Sequence, residues 1–165
     1  MDTATPHGSS LASRGLEISL SSPISLVHDW PHAVPLLERA PWTWNRYYTL
    51  PQLFNEIFAE RLHLWLGCPM EDSDGVPVAC CLTTFDHYPL VKVLRFIILV
   101  GDDERHDHLE WQYAFREYVE NWAAAQGATY AGVKGRKGWE RVLAPYGYEP
   151  DGVYLRKSLI KGHVN

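Results

Sequence analysis

The spacing of apolar residues changes near residue 62, and this change limits the fold classes open to the chain. Between residues 50 and 58 the apolar side chains recur at intervals of three and four, which is typical of an amphipathic helix. From there the interval falls to two, since Leu62, Leu64 and Leu66 alternate with other residues, which predicts a strand. A chain that carries both periods is predicted to combine helices with a sheet.

The same patterns divide the rest of the chain into helices and strands in a definite order. Two helices (31–40 and 50–58) precede three strands (62–66, 76–85 and 90–100), a long helix (107–125), a strand (128–133), a short helix (139–146) and a last strand (148–159). One helix-linked crossover inside an otherwise antiparallel set predicts an α/β (α+β) fold, with a mixed, mostly antiparallel central sheet flanked by helices.

The length and the local composition indicate one domain with an N-terminal extension. The chain has 165 residues, which suits a single domain. Residues 1–23 are rich in Ser, Thr, Gly and Pro and lack periodicity, which predicts a flexible arm. We therefore expect a single domain over residues 24–165.

Charge, hydropathy and cysteine content argue against several classes of protein. A net charge of −5 makes a broad cationic face for nucleic acid unexpected. No apolar run approaches the roughly 18–20 residues of a membrane span, and the N-terminus lacks the features of a secretory signal. Cys68, Cys80 and Cys81 fit neither a disulfide framework nor a metal knuckle, which favours a reducing compartment. At least one residue of the Cys80-Cys81 pair is expected to be buried, and neither is expected to be a nucleophile.

The last third of the chain contains the most specific pattern. A Gly-Arg-x-Gly-Trp segment (135–139) opens the predicted short helix, and a Leu-Ala-Pro-Tyr-Gly-Tyr segment (143–148) closes it. Together with the order of elements, this pattern resembles the GNAT superfamily of acyl-CoA N-acyltransferases, and in particular the GNAT-like proteins of tailed bacteriophages. The resemblance covers roughly residues 24–160 and implies the fold predicted above.

The resemblance implies a donor site at the start of the long helix. In the superfamily, the preceding strand runs into an Arg/Gln-x-x-Gly-x-Gly/Ala loop, whose backbone N–H groups bind the CoA pyrophosphate. Alignment to this motif places Arg105 at the arginine and His108 at the first glycine position. If acyl-CoA binds, the implied donor-binding residues are Leu99, Val100, Arg105, His106 and His108.

The glycine positions of this loop carry larger residues, namely His108 and Glu110. Asp107 and Glu110 have the spacing of a capping box, so their carboxylates would occupy and charge the position that a pyrophosphate must enter. Residues 102–104 add three more carboxylates beside it. The sequence therefore predicts a degenerate donor site and no cofactor, or acetyl-CoA if the protein is an enzyme.

The catalytic residues that the resemblance implies are displaced as well. The tyrosine that acts as general acid in the superfamily lies about one helical turn before a Gly-Phe/Tyr pair, a position that Leu143 holds here. Tyr146 and Tyr148 are the candidate acids, although each also fits a core or surface aromatic. Asp86, with His87 beside it, is the candidate base, although both also fit a turn.

Three further groups of residues have a functional and a structural interpretation. The aromatic connector (residues 42–48) suits an acceptor pocket or a protein interface, but core packing is expected for at least two of its aromatic residues. Residues 102–108 contain metal-ligand types without the spacing of a known site, so no metal is predicted. Basic residues between the glycines of segment 132–138 suit an anion contact, but a solvated turn is the favoured interpretation.

Two functions remain open on the sequence. The first is an interaction or assembly protein, a phage-type virion protein with a protein partner, found in the cytoplasm or within a virion. The second is an acyl-CoA-dependent N-acetyltransferase that acts on an amine of a protein or small molecule. The sequence favours the first. A V-shaped gap between the strands that flank the long helix would favour the second, because a pantetheine arm needs such a gap.

Overall fold

A computed structural model describes residues 15–71, 74–104, 108–135, 137–152 and 155–160, with the backbone alone for residues 108–110. In this part of the chain the sheet has five strands, in the spatial order β1-β2-β3-β4-β5. They are β1 (Leu16–Leu20), β2 (His63–Pro69), β3 (Ala79–His87), β4 (Lys92–Gly101) and β5 (Tyr130–Val133). Neighbours from β1 to β4 are antiparallel and β5 is parallel to β4, so the predicted mixed, mostly antiparallel sheet is confirmed.

Helices flank both faces of the sheet. They are α1 (Leu26–Leu37), α2 (Leu50–Phe58) and α3 (His108–Ala125). Side chains of α1 and α2 share one core with strand residues such as Leu64 and Ile98. Side chains of α3, Phe115 among them, share a second core with Trp65 on the opposite face. Within the described ranges, no helix has both the length and the apolar composition needed to cross a bilayer.

Two glycines let α3 approach the sheet closely. A Cβ atom on Gly67 of β2 would lie 2.9 Å from Cζ of Phe115, and one on Gly101 of β4 would lie 2.5 Å from Cε2 of Trp111. Because glycine has no side chain, both aromatic rings can lie directly against the strand backbone. The ring of Trp111 thereby holds the start of α3 against the end of β4.

The sheet begins inside the segment that the sequence assigns to the arm over residues 1–23. Residues 16–20 form β1, which pairs along its length with β2. Leu16 and Ile18 are buried in the core beneath α3. Two alternating apolar residues in a Ser-rich stretch are a weak local signal, and the outer edge of β2 supplies the backbone partners that make the strand stable. Residues 1–14 lie outside the described part of the chain.

The first helix starts earlier than predicted, at Leu26 rather than at Pro31. The Leu26 N–H donates to the Ser22 carbonyl at 2.9 Å, and the Ser25 hydroxyl accepts from the Ser22 N–H at 2.9 Å. Pro31 and Pro35 both lie inside the helix. Because proline is favoured in the first turn of a helix, the sequence predicts that α1 starts at Pro31. In the structure, tertiary packing of α1 outweighs the two backbone hydrogen bonds that the prolines cannot donate.

The chain divides into two compact units between Lys134 and Gly135. The second unit contains α4 (Trp139–Leu143) and a 3-10 turn (Ala144–Tyr146). The predicted last strand is wrong for residues 148–152 and 155–159, which have no strand structure. Gly147 and Gly152 adopt left-handed φ angles of 87° and 95°, and Pro150 lacks an N–H, so an extended ladder is interrupted repeatedly here.

Candidate functional site

Strand β4 contains one extra residue at Ile97. Leu82 of β3 lies opposite Ile98, whereas the next residue, Thr83, lies opposite Phe96, so the register skips Ile97. This arrangement is a β-bulge, which bends the strand and increases its local twist.

The bulge moves the apolar side chains of β4 from one face of the sheet to the other. Before it, Leu94 and Phe96 lie in the core beneath α3. After it, Ile98 and Val100 lie in the core beneath α1 and α2. These four residues are spaced by two, so a regular strand would place them all on one face. Because of Ile97, these four apolar residues are divided between the two cores.

Strand β5 stops pairing with β4 at the same position. The parallel pairs run from Val93↔Tyr130 to Phe96↔Val133, and the described residues contain none beyond Phe96. Residues 97–101 continue β4 and pair with β3 on the other side. We call their β5-facing side the unpaired edge of β4. Since a parallel partner would satisfy alternate backbone N–H and C=O groups along it, this edge suits a ligand that carries amide groups.

Two carboxylates directly after β4 have defined partners. Oδ1 of Asp102 lies 3.4 Å from Nη2 of Arg39 and accepts the backbone N–H of Glu104 at 3.2 Å. The indole N–H of Trp111 donates to Oδ1 of Asp103 at 3.0 Å. The turn after β4 is therefore tied to α3 and to the residues that follow α1, and the Arg39 guanidinium offsets part of its negative charge.

The candidate donor-binding residues fall in two places. Leu99 and Val100 belong to the segment of β4 that carries the unpaired edge, with Val100 buried and Leu99 half-buried. His108 is the first residue of α3, and its side chain is not described. The other residues of this prediction lie outside the described part of the chain or have only a described backbone: Arg105, His106, Asp107 and Glu110.

The candidate catalytic residues lie in different units of the chain. Asp86 lies within β3 rather than in a turn, and its Oδ2 forms an ion pair with Nε of Arg95 on β4 at 3.2 Å. Tyr146 is the last residue of the 3-10 turn, and Tyr148 follows Gly147; both are half-buried in the second unit.

The aromatic connector between α1 and α2 is divided between core and surface. Trp44 is buried and its indole N–H donates to the Leu37 carbonyl at 3.0 Å, while Tyr48 packs against the same core. Trp42 and Tyr47 are each 60% exposed. The prediction that at least two of these residues belong to the core is confirmed.

The adjacent cysteines of β3 are both buried. Burial raises the pKa of the Cys80 thiol and of the Cys81 thiol far above the ordinary value. The prediction that one of them is buried is confirmed, and the thiols remain protonated at neutral pH, which disfavours a nucleophilic role.

On the α3 face, His63 of β2 is enclosed by aromatic rings. Its ring centroid lies 5.5 Å from that of Phe85 and 5.2 Å from that of Trp122. Burial lowers the pKa of His63, and this effect outweighs a hydrogen bond with the Thr83 backbone that raises it. Its buried Nδ1 has no hydrogen-bond partner among the described residues. The neutral imidazole therefore acts as a packing residue.

Sequence reasoning missed the bulge that organises this site. The only signal was the continuous apolar run Ile-Ile-Leu-Val at residues 97–100, which is typical of a strand buried on both faces. Such a run does not reveal which residue is the extra one. That depends on the register with β3, which is a long-range contact.

No family model and no curated protein matches this sequence. Solved acetyltransferase structures nevertheless match its architecture over nearly their whole length. A GCN5-related N-acetyltransferase from Ralstonia eutropha aligns with a TM-score of 0.63 at 14% identity, over 87% of this chain and 99% of its own. A predicted acetyltransferase with acetyl-CoA from Clostridium acetobutylicum aligns with a TM-score of 0.63 at 12% identity, over 90% and 99%.

A third match comes from an uncultured soil metagenomic sample. It is an aminoglycoside acetyltransferase in complex with sisomicin, with a TM-score of 0.66 at 11% identity, over 90% of this chain and 99% of its own. The chain therefore has the GNAT fold, as the sequence resemblance implied. Identities this low establish the fold alone, because one fold can carry several functions.

Proposed function

We propose that the protein is an acyl-CoA-dependent N-acyltransferase whose donor binds along the unpaired edge of β4. The observation that carries the proposal is the coincidence of two features at one point. The pairing of β4 with β5 ends at Phe96, and the β-bulge lies at Ile97. Because a bulge bends its strand, a β4 that turned away from β5 at this point would open the kind of gap that the pantetheine arm of a donor needs.

The chemistry of this edge fits the donor. Over residues 97–101, β4 offers backbone N–H and C=O groups without a strand partner in the described ranges. An extended arm with amide groups can pair with such an edge as an added strand would. When bound, acyl-CoA supplies an activated thioester carbonyl. The role of the protein is to hold and orient this group.

Two of the acidic residues near this edge, Asp102 and Asp103, are a weaker obstacle to the donor than free carboxylates would be. Asp102 lies beside the Arg39 guanidinium, and Asp103 accepts a hydrogen bond from Trp111. Carboxylates with such partners repel an anionic ligand less than free ones do. This observation favours the enzyme over the assembly protein that the sequence alone favours. The assembly role and the phage resemblance stay predictions.

An amine is the proposed acceptor. The solved relatives in fold include an N-acetyltransferase and an aminoglycoside acetyltransferase. Asp86 remains the proposed base for the amine proton, and Tyr146 or Tyr148 the proposed acid for the departing thiolate. Phenylalanine in place of each tyrosine, assayed for kcat, distinguishes the two hydroxyls.

Titration of the purified full-length chain with acetyl-CoA, followed by calorimetry, tests the donor site. We expect a Kd in the micromolar range and a rise in Tm, since a ligand at 100 times its Kd adds about 2.7 kcal/mol to the free energy of unfolding. Absence of binding at millimolar acetyl-CoA would contradict the proposal.

Deletion of Ile97 tests the role of the bulge directly. Without it, Phe96 and Ile98 become neighbours opposite Thr83 and Leu82, so regular alternation keeps each side chain on its present face. We expect the variant to fold and to bind acetyl-CoA about 10-fold or more weakly, because a straight β4 can continue beside β5. Leu90→Ser, at a 93% exposed position just before β4, is the matched control and should bind as the wild type.

A further inference from the structure

Two histidines lie one turn apart on the exposed surface of α1. His28 and His32 occupy positions i and i+4, which face the same side of a helix. Both are exposed, and their ring centroids are 5.7 Å apart. Two nitrogens bound to one zinc ion lie about 3.3 Å apart, because each bond is about 2.0–2.1 Å long. Rings at the observed separation reach this spacing when their nitrogens face each other.

A neighbouring carboxylate orients the first of these rings. Oδ1 of Asp29 lies 3.3 Å from Nδ1 of His28, and Oδ2 accepts the Ser21 hydroxyl at 2.7 Å. Because a carboxylate oxygen accepts hydrogen bonds, this contact favours the tautomer of His28 in which Nδ1 carries the proton and donates it to Asp29.

This contact leaves a specific atom of His28 for a ligand. In a neutral imidazole whose Nδ1 carries the proton, Nε2 holds the free lone pair. A carboxylate that accepts the other ring N–H is the usual arrangement behind a histidine that binds metal. Here the carboxylate is itself fixed by Ser21, so the support is present before any ion arrives.

We propose that His28 and His32 form a surface site for a divalent transition-metal ion, separate from the proposed donor site. Nε2 of His28 and one ring nitrogen of His32 are the protein ligands, and water fills the remaining positions. Imidazole ligands select zinc, copper or nickel rather than magnesium or calcium, which prefer oxygen. A site with two protein ligands leaves positions open for a third group.

Calorimetric titration of the full-length chain with zinc chloride, in a buffer that does not bind metal, tests the site. Asp29→Asn should weaken binding about 10-fold, as is typical when an orienting carboxylate is lost. His28→Asn and His32→Asn should each weaken it further. Thermal unfolding of each variant without metal confirms that it folds, and magnesium chloride should give no binding.

Histidines elsewhere in the chain provide the controls. His87→Asn changes another exposed imidazole and should bind zinc as the wild type does. A His106→Asn/His108→Asn double variant should also retain binding. The proposal is overturned if the wild type does not bind zinc at millimolar concentration, if both α1 variants bind normally, or if the double variant alone loses binding.

Discussion

The two halves of β4 have different surroundings. The first half, Lys92–Phe96, pairs with β3 on one side, and its residues 93–96 pair with β5 on the other. The second half, residues 97–101, pairs with β3 alone in the described part of the chain. Both halves are rich in apolar residues that reach a core. The second half begins at the extra residue Ile97, so the position of the candidate site coincides with a change in the backbone register of β4.

The largest effect is expected from truncating one buried residue in each half, which tests whether both halves are equally well packed. Leu94 and Ile98 are buried, one in each half and each in a different core. Leu94→Ala and Ile98→Ala should each lower the free energy of unfolding by about 2–5 kcal/mol, because each leaves a cavity in a packed core. Urea denaturation measures both. A loss below about 1 kcal/mol at Ile98 alone would mean that the half with the unpaired edge is loosely packed.

A smaller effect is expected from two glycines, one that ends the second half of β4 and one on β5 beside the first half. A Cβ on Gly101 would overlap the Trp111 ring at 2.5 Å, whereas a Cβ on Gly132 of β5 would meet its nearest atoms at 3.9 Å. Gly101→Ala should therefore cost about 1–3 kcal/mol by overpacking. It should also weaken acetyl-CoA binding, since Trp111 holds Asp103 after β4.

Gly132→Ala is the matched control for this experiment and should change stability by less than about 0.5 kcal/mol. Chemical denaturation and acetyl-CoA titration of both variants measure the difference. Equal stability of the two variants would show that the Trp111 ring moves aside freely, and the comparison of the two halves would lose one of its supports.

The smallest expected effect concerns pH and the aromatic cluster around His63. Burial holds the pKa of His63 below the ordinary 6.5, so the unfolded chain binds a proton more readily than the folded one. The free energy of unfolding should therefore be largest above about pH 6.5 and decrease as the pH falls through that value toward the folded pKa. Because the imidazole keeps partial access to solvent, the loss should stay below about 1 kcal/mol.

His63→Gln should flatten this dependence between about pH 7 and 5. His87→Gln, which changes an exposed ring beside Phe85, should leave it unchanged. Denaturation midpoints over this range measure the effect. A wild-type profile that does not fall toward acid pH would contradict the assignment of a neutral, buried His63.

Local signals decided which elements could be predicted. Helix α2 was predicted within its observed bounds because it carries an apolar stripe, and the structure adds a capping box between Thr49 and Gln52. Strand β1 was missed because its two buried residues give a weak pattern without β2 beside it. The last strand was predicted over residues 148–159, but left-handed glycine conformations at residues 147 and 152 interrupt it.

The candidate site was predictable only in part. The resemblance to acyltransferases directed attention to the end of β4, and Leu99 and Val100 do lie in the segment with the unpaired edge. Asp86 was expected in a turn and instead lies in β3 with Arg95 as its ion-pair partner. That contact joins two strands, so no spacing along the chain reveals it.

By itself, the sequence determined the fold class and the order of most elements. These properties follow from apolar residues that recur with periods of two and 3.6 residues. Such periods are local and can be recognised without knowledge of the partner strands. The tertiary structure alone decided that Ile97 is the extra residue of β4 and that β5 ends its pairing there. A bulge exists only relative to a neighbouring strand. The bulge and the unpaired edge of β4 therefore arise only when β3, β4 and β5 come together.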